Sequence, residues 1–138
     1  MSVGQVIVFV CEHGAAKSVI AAAYFNKLAD KVGLDLCAVA RGTHPDQKVS
    51  PQTVAGLTKD GLLLEETVPR KLSAKDVEAA QRVITFCELP EEYSQQASIE
   101  RWEGIPPVSE DYEKAREAIM ARIDQLLSRM SGTNLEQS

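Results

Sequence analysis

Basic residues are in the minority in this chain: 15 Lys and Arg stand against 20 Asp and Glu, for a formal net charge of −5. Nucleic acid and anionic membrane surfaces both require a basic footprint, so neither is expected as a partner. Long hydrophobic runs are also missing, the longest falling far short of the ~20 residues that span a bilayer. No Lys or Arg precedes residue 17, and no small-residue cleavage site follows a hydrophobic run, so the N-terminal segment does not read as a secretory signal. Cysteine is sparse and odd in number: Cys11, Cys37 and Cys87 have no short-spaced pairing. That suits a reducing cytoplasm better than a disulfide framework. The two histidines, His13 and His44, have no tight ligand spacing with these thiols. Neither a structural metal nor a cofactor is expected.

No linker or internal repeat divides the 138 residues, which suffice for one domain burying about two thirds of its unfolded surface. The pattern alternates strands and helices. Ser50-Pro51 reads as an N-cap with proline at the first helical position, and Gly61 is placed to end that helix. Ser73 opens another helix with Asp76 three residues on. Ser109 is expected to cap the last one, where Tyr112, Ala115, Ile119, Ile123, Leu126, Leu127 and Met130 form one apolar stripe. Beyond Met130 the pattern stops, so residues 1–130 are expected as the domain and 131–138 as a flexible tail. Strands separated by helices imply right-handed crossovers, a parallel α/β sheet, and a ligand site beyond the carboxyl ends of the strands.

One segment carries chemistry. Val6-Ile7-Val8-Phe9-Val10 is a run of five apolar residues that reads as a buried parallel strand, and Ser18 to Leu28 reads as a helix. Cys11-Glu12-His13-Gly14-Ala15-Ala16-Lys17 joins them. A short loop of this kind turns its backbone N–H groups inward at a helix N-terminus, where they gather a phosphate-like anion and favour Cys11 as thiolate.

This segment resembles the Cys-x5-Arg-Ser signature of the low-molecular-weight protein tyrosine phosphatases and the arsenate reductases built on the same fold, with Lys17 at the arginine position. Val39-Ala40-Arg41-Gly42-Thr43 is similar to the family's Ser-Ala-Gly-Thr segment. Gly61-Leu62 through Pro69-Arg70-Lys71-Leu72 is similar to its Gly-Ile…His-x-Ala-Arg-x-Leu stretch. Val83-Ile84-Thr85-Phe86-Cys87 matches the next core strand, and Trp102 the tryptophan preceding the Asp-Pro loop. The resemblance covers roughly residues 5 to 130. It implies a three-layer α/β sandwich with a four-stranded parallel sheet flanked by helices. It also implies that Cys11 attacks phosphorus, that Glu12, His13, Gly14, Ala15, Ala16, Lys17 and Ser18 surround the oxyanion, and that Ser18 donates to the thiolate. Gly14 sits where the family has a left-handed asparagine, a conformation glycine takes without steric cost.

Two positions depart from the pattern. Lys17 has charge but no planar fork, so a bidentate grip becomes a flexible point contact. Losing one charge-assisted hydrogen bond costs about 1.5–3 kcal/mol, roughly one to two decades in binding or rate. Four residues beyond Trp102, where the family's acid is expected, stands Pro106, followed by Pro107. A missing general acid costs about 10²–10⁴-fold. Arg41, at the end of the second strand, either reaches the pocket and supplies the missing guanidinium or is a solvated strand-end arginine. Cys37 reads as a small core hydrophobe. Cys87 occupies the place of a resolving thiol in the arsenate reductases, or is a strand-end core residue. His13 reads as a loop-packing residue, or one that stands behind the anion contacts, rather than as a base.

Ala16-Lys17-Ser18 also matches the end of a nucleotide-binding Gly-x4-Gly-Lys-Ser loop, but both glycines are replaced and no aspartate for magnesium ends the later strand. Three functions follow from the resemblance. One is a cysteine-dependent phosphatase, impaired or altered, acting on phosphomonoesters or phosphotyrosine. The second is an arsenate reductase using Cys11 and Cys87 with a thiol reductant. The third is a non-catalytic protein that binds phosphate, sulfate, an arsenate-like oxyanion or a phosphorylated protein.

Overall fold

The computed structural model describes residues 5–62, 68–93 and 98–137. Its elements run β1 (Gln5–Cys11), α1 (Lys17–Val32), β2 (Leu36–Gly42), α2 (Pro51–Lys59), α3 (Ala74–Ala79), β3 (Ala80–Thr85), β4 (Ile99–Arg101) and α4 (Tyr112–Gln137). The strands form one sheet in the order β2-β1-β3-β4, and every neighbouring pair is parallel. The central strand β1 is therefore covered on both faces, which is why its sequence is apolar without alternation.

Alternation along β1 divides the core into two. Ile7 and Phe9 face α1 and α4 in a cluster that includes Phe25, Leu57, Trp102, Ile119, Ile123 and Leu126. Val8 and Val10 face the other way, onto Leu72, Val77 and Val83 beside α3. Helices on both sides of the sheet make the three-layer α/β sandwich. Burying each large side chain in these clusters contributes about 1.5–3 kcal/mol. Phe9 anchors the larger one, with its ring centroid 6.1 Å from Phe25 and 5.7 Å from Trp102.

Local signals explain most helix ends. Ser50 accepts from the Thr53 N–H with Pro51 at the first helical position, and Ser73 and Asp76 form a reciprocal capping box. The start of the last helix differs from expectation. Its first turn is held by Asp111, whose Oδ1 accepts from the Lys114 N–H at 3.1 Å, while Ser109 lies in the preceding turn. Cys37 is also corrected: it is exposed. The alternation of β2 puts Ala38 on the α1 side and Cys37 opposite, where the smaller cluster takes Val39 but does not extend to Cys37. Of the segment 131–138, the backbone continues α4 as far as Gln137, and Ser138 lies outside the described residues, as do positions 63–67 of the stretch between Gly61 and Leu72.

Candidate active site

The loop after β1 is defined by where its carbonyls go. Cys11 O accepts from Thr43 N–H at 3.2 Å, Glu12 O from His44 N–H at 2.7 Å, His13 O from Asp46 N–H at 3.0 Å and Ala15 O from Ser50 N–H at 2.9 Å. The segment following β2 thus turns these four carbonyls outward. In a planar trans peptide the C=O and the next N–H point in opposite directions. The amides of Glu12, His13, Gly14 and Ala16 accordingly turn away from that segment, toward the loop interior. Helix α1 adds its own free N–H groups, since Ala16 at its N-cap makes no side-chain cap and no acidic residue occupies its first turn.

Two glycines permit this packing. Gly14 has φ +60, and its backbone rests against that of Gly42 so closely that a Cβ on Gly42 would lie 2.7 Å from Gly14 N. Gly42 is in turn fixed by Arg70 O and Leu72 N–H, at 2.8 and 2.9 Å. The nucleophile sits at the inner end. Cys11 is buried, and its Sγ lies 3.0 Å from Ser18 Oγ, so when the sulfur is a thiolate the hydroxyl donates to it. Ser18 is itself fully buried on the first turn of α1.

Above Cys11 opens a cavity of about 430 Å³. One side is the loop, with Glu12, His13, Ala15, Ala16 and Lys17, joined by Asp46 and Ser50; the other is Phe86, Cys87, Pro107, Val108 and Ser109. Lys17 does more than line it: its Nζ donates to Ile105 O at 3.2 Å, tying the cradle to the segment after Trp102. Arg122 secures the same segment through Glu103 O at 2.8 Å. The wall at Pro107 to Ser109 contributes no carboxylate. Another cleft, of about 560 Å³, lies between β4 and α4 beside Glu100, Trp102, Arg122 and Arg129. Among the described residues no thiol lines it.

The rim is polar. His13 Nδ1 lies 3.3 Å from Asp46 Oδ1 and 3.3 Å from His44 O, and its Nε2 is 3.9 Å from Glu12 Oε1. Asp46 and Ser50 come from the segment after β2, beside the carboxyl ends of the strands. That position in a parallel sheet, and the polar Thr43-His44-Pro45-Asp46 sequence, are the signals that mark them. Cys87 lines the same cavity. Its N–H donates to Thr85 Oγ1 at 3.1 Å, and burial pushes its thiol pKa up, which the hydroxyl of Thr85 partly offsets.

Arg41 is not brought to this cavity. It pairs with Val10 in the sheet, and like Val10 it points to the α3 side. There Nε meets Asp76 Oδ2 at 3.2 Å and Nη1 donates to Ala40 O at 2.7 Å. Its guanidinium braces the capping box of α3 instead of standing in for the fork that Lys17 lacks.

The family model for low molecular weight phosphotyrosine protein phosphatases matches residues 6–103. The chain belongs to that family. The matched span includes the whole Cys11 to Ser18 loop and the Gly42 contact that shapes it. Among solved structures, YfkJ from Bacillus subtilis aligns with a TM-score of 0.82 at 19% identity, covering 96% of this chain and 98% of that one. A low molecular weight protein tyrosine phosphatase from T. tengcongensis aligns at 0.78 with 22% identity, covering 91% and 99%. A Corynebacterium glutamicum thioredoxin-dependent arsenate reductase aligns at 0.73 with 22% identity, covering 96% of this chain and 64% of that one. No curated protein sequence matches the chain. Low molecular weight phosphatases and an arsenate reductase thus share this fold. Among the described residues no helix is long and apolar enough to cross a membrane.

Proposed function

We propose that this member of the family is a cysteine-dependent phosphatase that hydrolyses phosphomonoesters, phosphotyrosine among them, through a phosphocysteine on Cys11, with altered leaving-group chemistry. The observation that carries the reading is the Cys11 Sγ to Ser18 Oγ contact of 3.0 Å at the base of a cavity bounded by the loop. The sulfur attacks phosphorus, and the leaving oxygen departs away from it, toward the cavity mouth. The equatorial oxygens meet the inward N–H groups and the helix N-terminus, which stabilise the charge of the transition state. Lys17 adds positive charge on one side while it anchors Ile105 O. An odd set of three thiols with no short-spaced pairing accords with a reducing cytoplasm, the location we propose.

The test is hydrolysis of an activated aryl phosphate by the protein and by Cys11→Ser, with inorganic phosphate and arsenate as competitors. Turnover lost in Cys11→Ser and inhibited by both anions supports phosphatase chemistry. Turnover undiminished by that substitution rejects it. A second reading, arsenate reduction with an external thiol reductant, is favoured by one observation: Cys87 lines the same cavity as Cys11. Thiol-coupled arsenate reduction that is abolished by Cys87→Ser, while aryl phosphate hydrolysis persists, would establish it. Anion binding with neither activity would identify a non-catalytic oxyanion-binding member.

A further inference from the structure

The cavity holds a nucleophile and an anion cradle, but no carboxylate stands on the Pro107 to Ser109 wall to protonate a leaving oxygen. His13 also lines the cavity. We infer that His13, oriented by Asp46, is the general acid and base of this site; the inference rests on the phosphatase reading above.

The tautomer follows from the partners. Nδ1 faces two acceptors, Asp46 Oδ1 and the His44 carbonyl, each at 3.3 Å. A nitrogen held between two acceptors carries the hydrogen, which leaves Nε2 as the nitrogen that gives and takes a proton. Backbone geometry fixes the pair as well, because Asp46 N–H donates to His13 O at 3.0 Å. His13 lines the same cavity as Cys11. The charged and titratable groups that line the cavity with it are Glu12 and Cys11 on its own loop, Asp46 from the segment after β2, Lys17 from α1 and Cys87 beyond β3, and His44 presents its carbonyl to Nδ1. Glu12 Oε1, 3.9 Å from Nε2, gives the imidazolium N–H a neighbour before substrate arrives.

In the first step the Cys11 thiolate forms an S–P bond, the P–O bond to the leaving group breaks, and the Nε2 proton passes to the departing oxygen. In the second, neutral Nε2 takes a proton from water, whose oxygen bonds to phosphorus as the S–P bond breaks. Inorganic phosphate leaves, and both the thiolate and the imidazolium are restored.

Leaving-group dependence tests this directly. The hydrolysis of p-nitrophenyl phosphate needs little protonation of its leaving group, whereas phenyl phosphate releases a phenol as basic as that of tyrosine. His13→Gln should lose about 10²–10⁴-fold in kcat/KM on phenyl phosphate and far less on the nitrophenyl ester, with inhibition by inorganic phosphate retained as the sign of an intact cradle. Asp46→Asn should lower the phenyl ester rate selectively and move the pH profile, a change that a purely structural role would not produce. Equal losses on the two esters, or none, overturn the inference and leave the phosphatase reading standing. Absence of Cys11-dependent turnover of either ester overturns both. The unsubstituted protein supplies an independent check: a kcat/KM that falls steeply with leaving-group basicity contradicts an operating acid.

Discussion

Replacing Gly42 by alanine tests how the loop is held. A Cβ at that position would stand 2.7 Å from Gly14 N, 2.9 Å from His13 C and 3.0 Å from Gly14 Cα. All three are backbone atoms of the anion loop, so no side-chain rotation relieves the clash. The strand cannot retreat either, because Gly42 is bonded to Arg70 and Leu72 on its other side. The loop must move. Overpacking of this kind costs about 1–3 kcal/mol, which for a chain of this size lowers Tm by roughly 3–12 °C. The functional loss should be larger than the loss of stability suggests, since a displacement of about 1 Å in a positioned reacting group costs about 10²-fold. Thermal unfolding and inhibition by inorganic phosphate, measured on the same preparation, separate the two effects. Gly42→Ala with unchanged Tm and unchanged phosphate inhibition would refute the backbone contact as the support of the cradle.

Arg41→Ala should leave phosphate inhibition unaltered while lowering stability by about 1–3 kcal/mol in urea unfolding, because its partner is Asp76 in the capping box; a fall in phosphate affinity would return Arg41 to the site. Tyr112→Phe should stabilise the protein by about 1 kcal/mol, read by the same method, since the Tyr112 hydroxyl is buried with no hydrogen-bond partner among the described residues. Burial pushes the pKa of Tyr112 up to about 12 in the folded state. A raised pKa favours the neutral phenol in the fold, so its contribution is complete below about pH 10 and lost as the pH rises through about 12. Alkaline unfolding followed by circular dichroism should show this loss, and Tyr112→Phe should remove it. Lys17→Arg restores the planar fork and should tighten phosphate inhibition about tenfold; a weaker hold would show that the bond to Ile105 O matters more than the fork.

Local chemistry made much of the fold legible. Ser50-Pro51 and Ser73 with Asp76 mark helix starts through interactions within four residues. The unbroken apolar run at Val6 to Val10 reports a strand covered on both faces, and the spacing from Tyr112 to Met130 reports the packed side of α4. Features set by distant partners were less legible. Cys37 is exposed because of which face of β2 the helices cover, and that follows from sheet order. Arg41 turns to Asp76, 35 positions away. Strand β4, with three residues, is too short to show a period. At the site, the Cys11 to Ser18 loop was evident from residue types and spacing, because a nucleophile and its cradle are contiguous. The His13 to Asp46 contact was not, because it depends on the segment after β2 folding back along the loop. Asp111 displaced Ser109 as the cap of α4 for a smaller reason: two competent capping residues lie two positions apart, and the turn at 108–110 selects the second.

The account stands most directly on the covalent step. Incubating the protein with a radiolabelled aryl phosphate, quenching within a single turnover and mapping the label by mass spectrometry should place the phosphoryl group on Cys11. No label should be found on Cys11→Ala, which has no nucleophile at that position. Phosphate release without a labelled Cys11, or release that persists at full rate in Cys11→Ala, would contradict it.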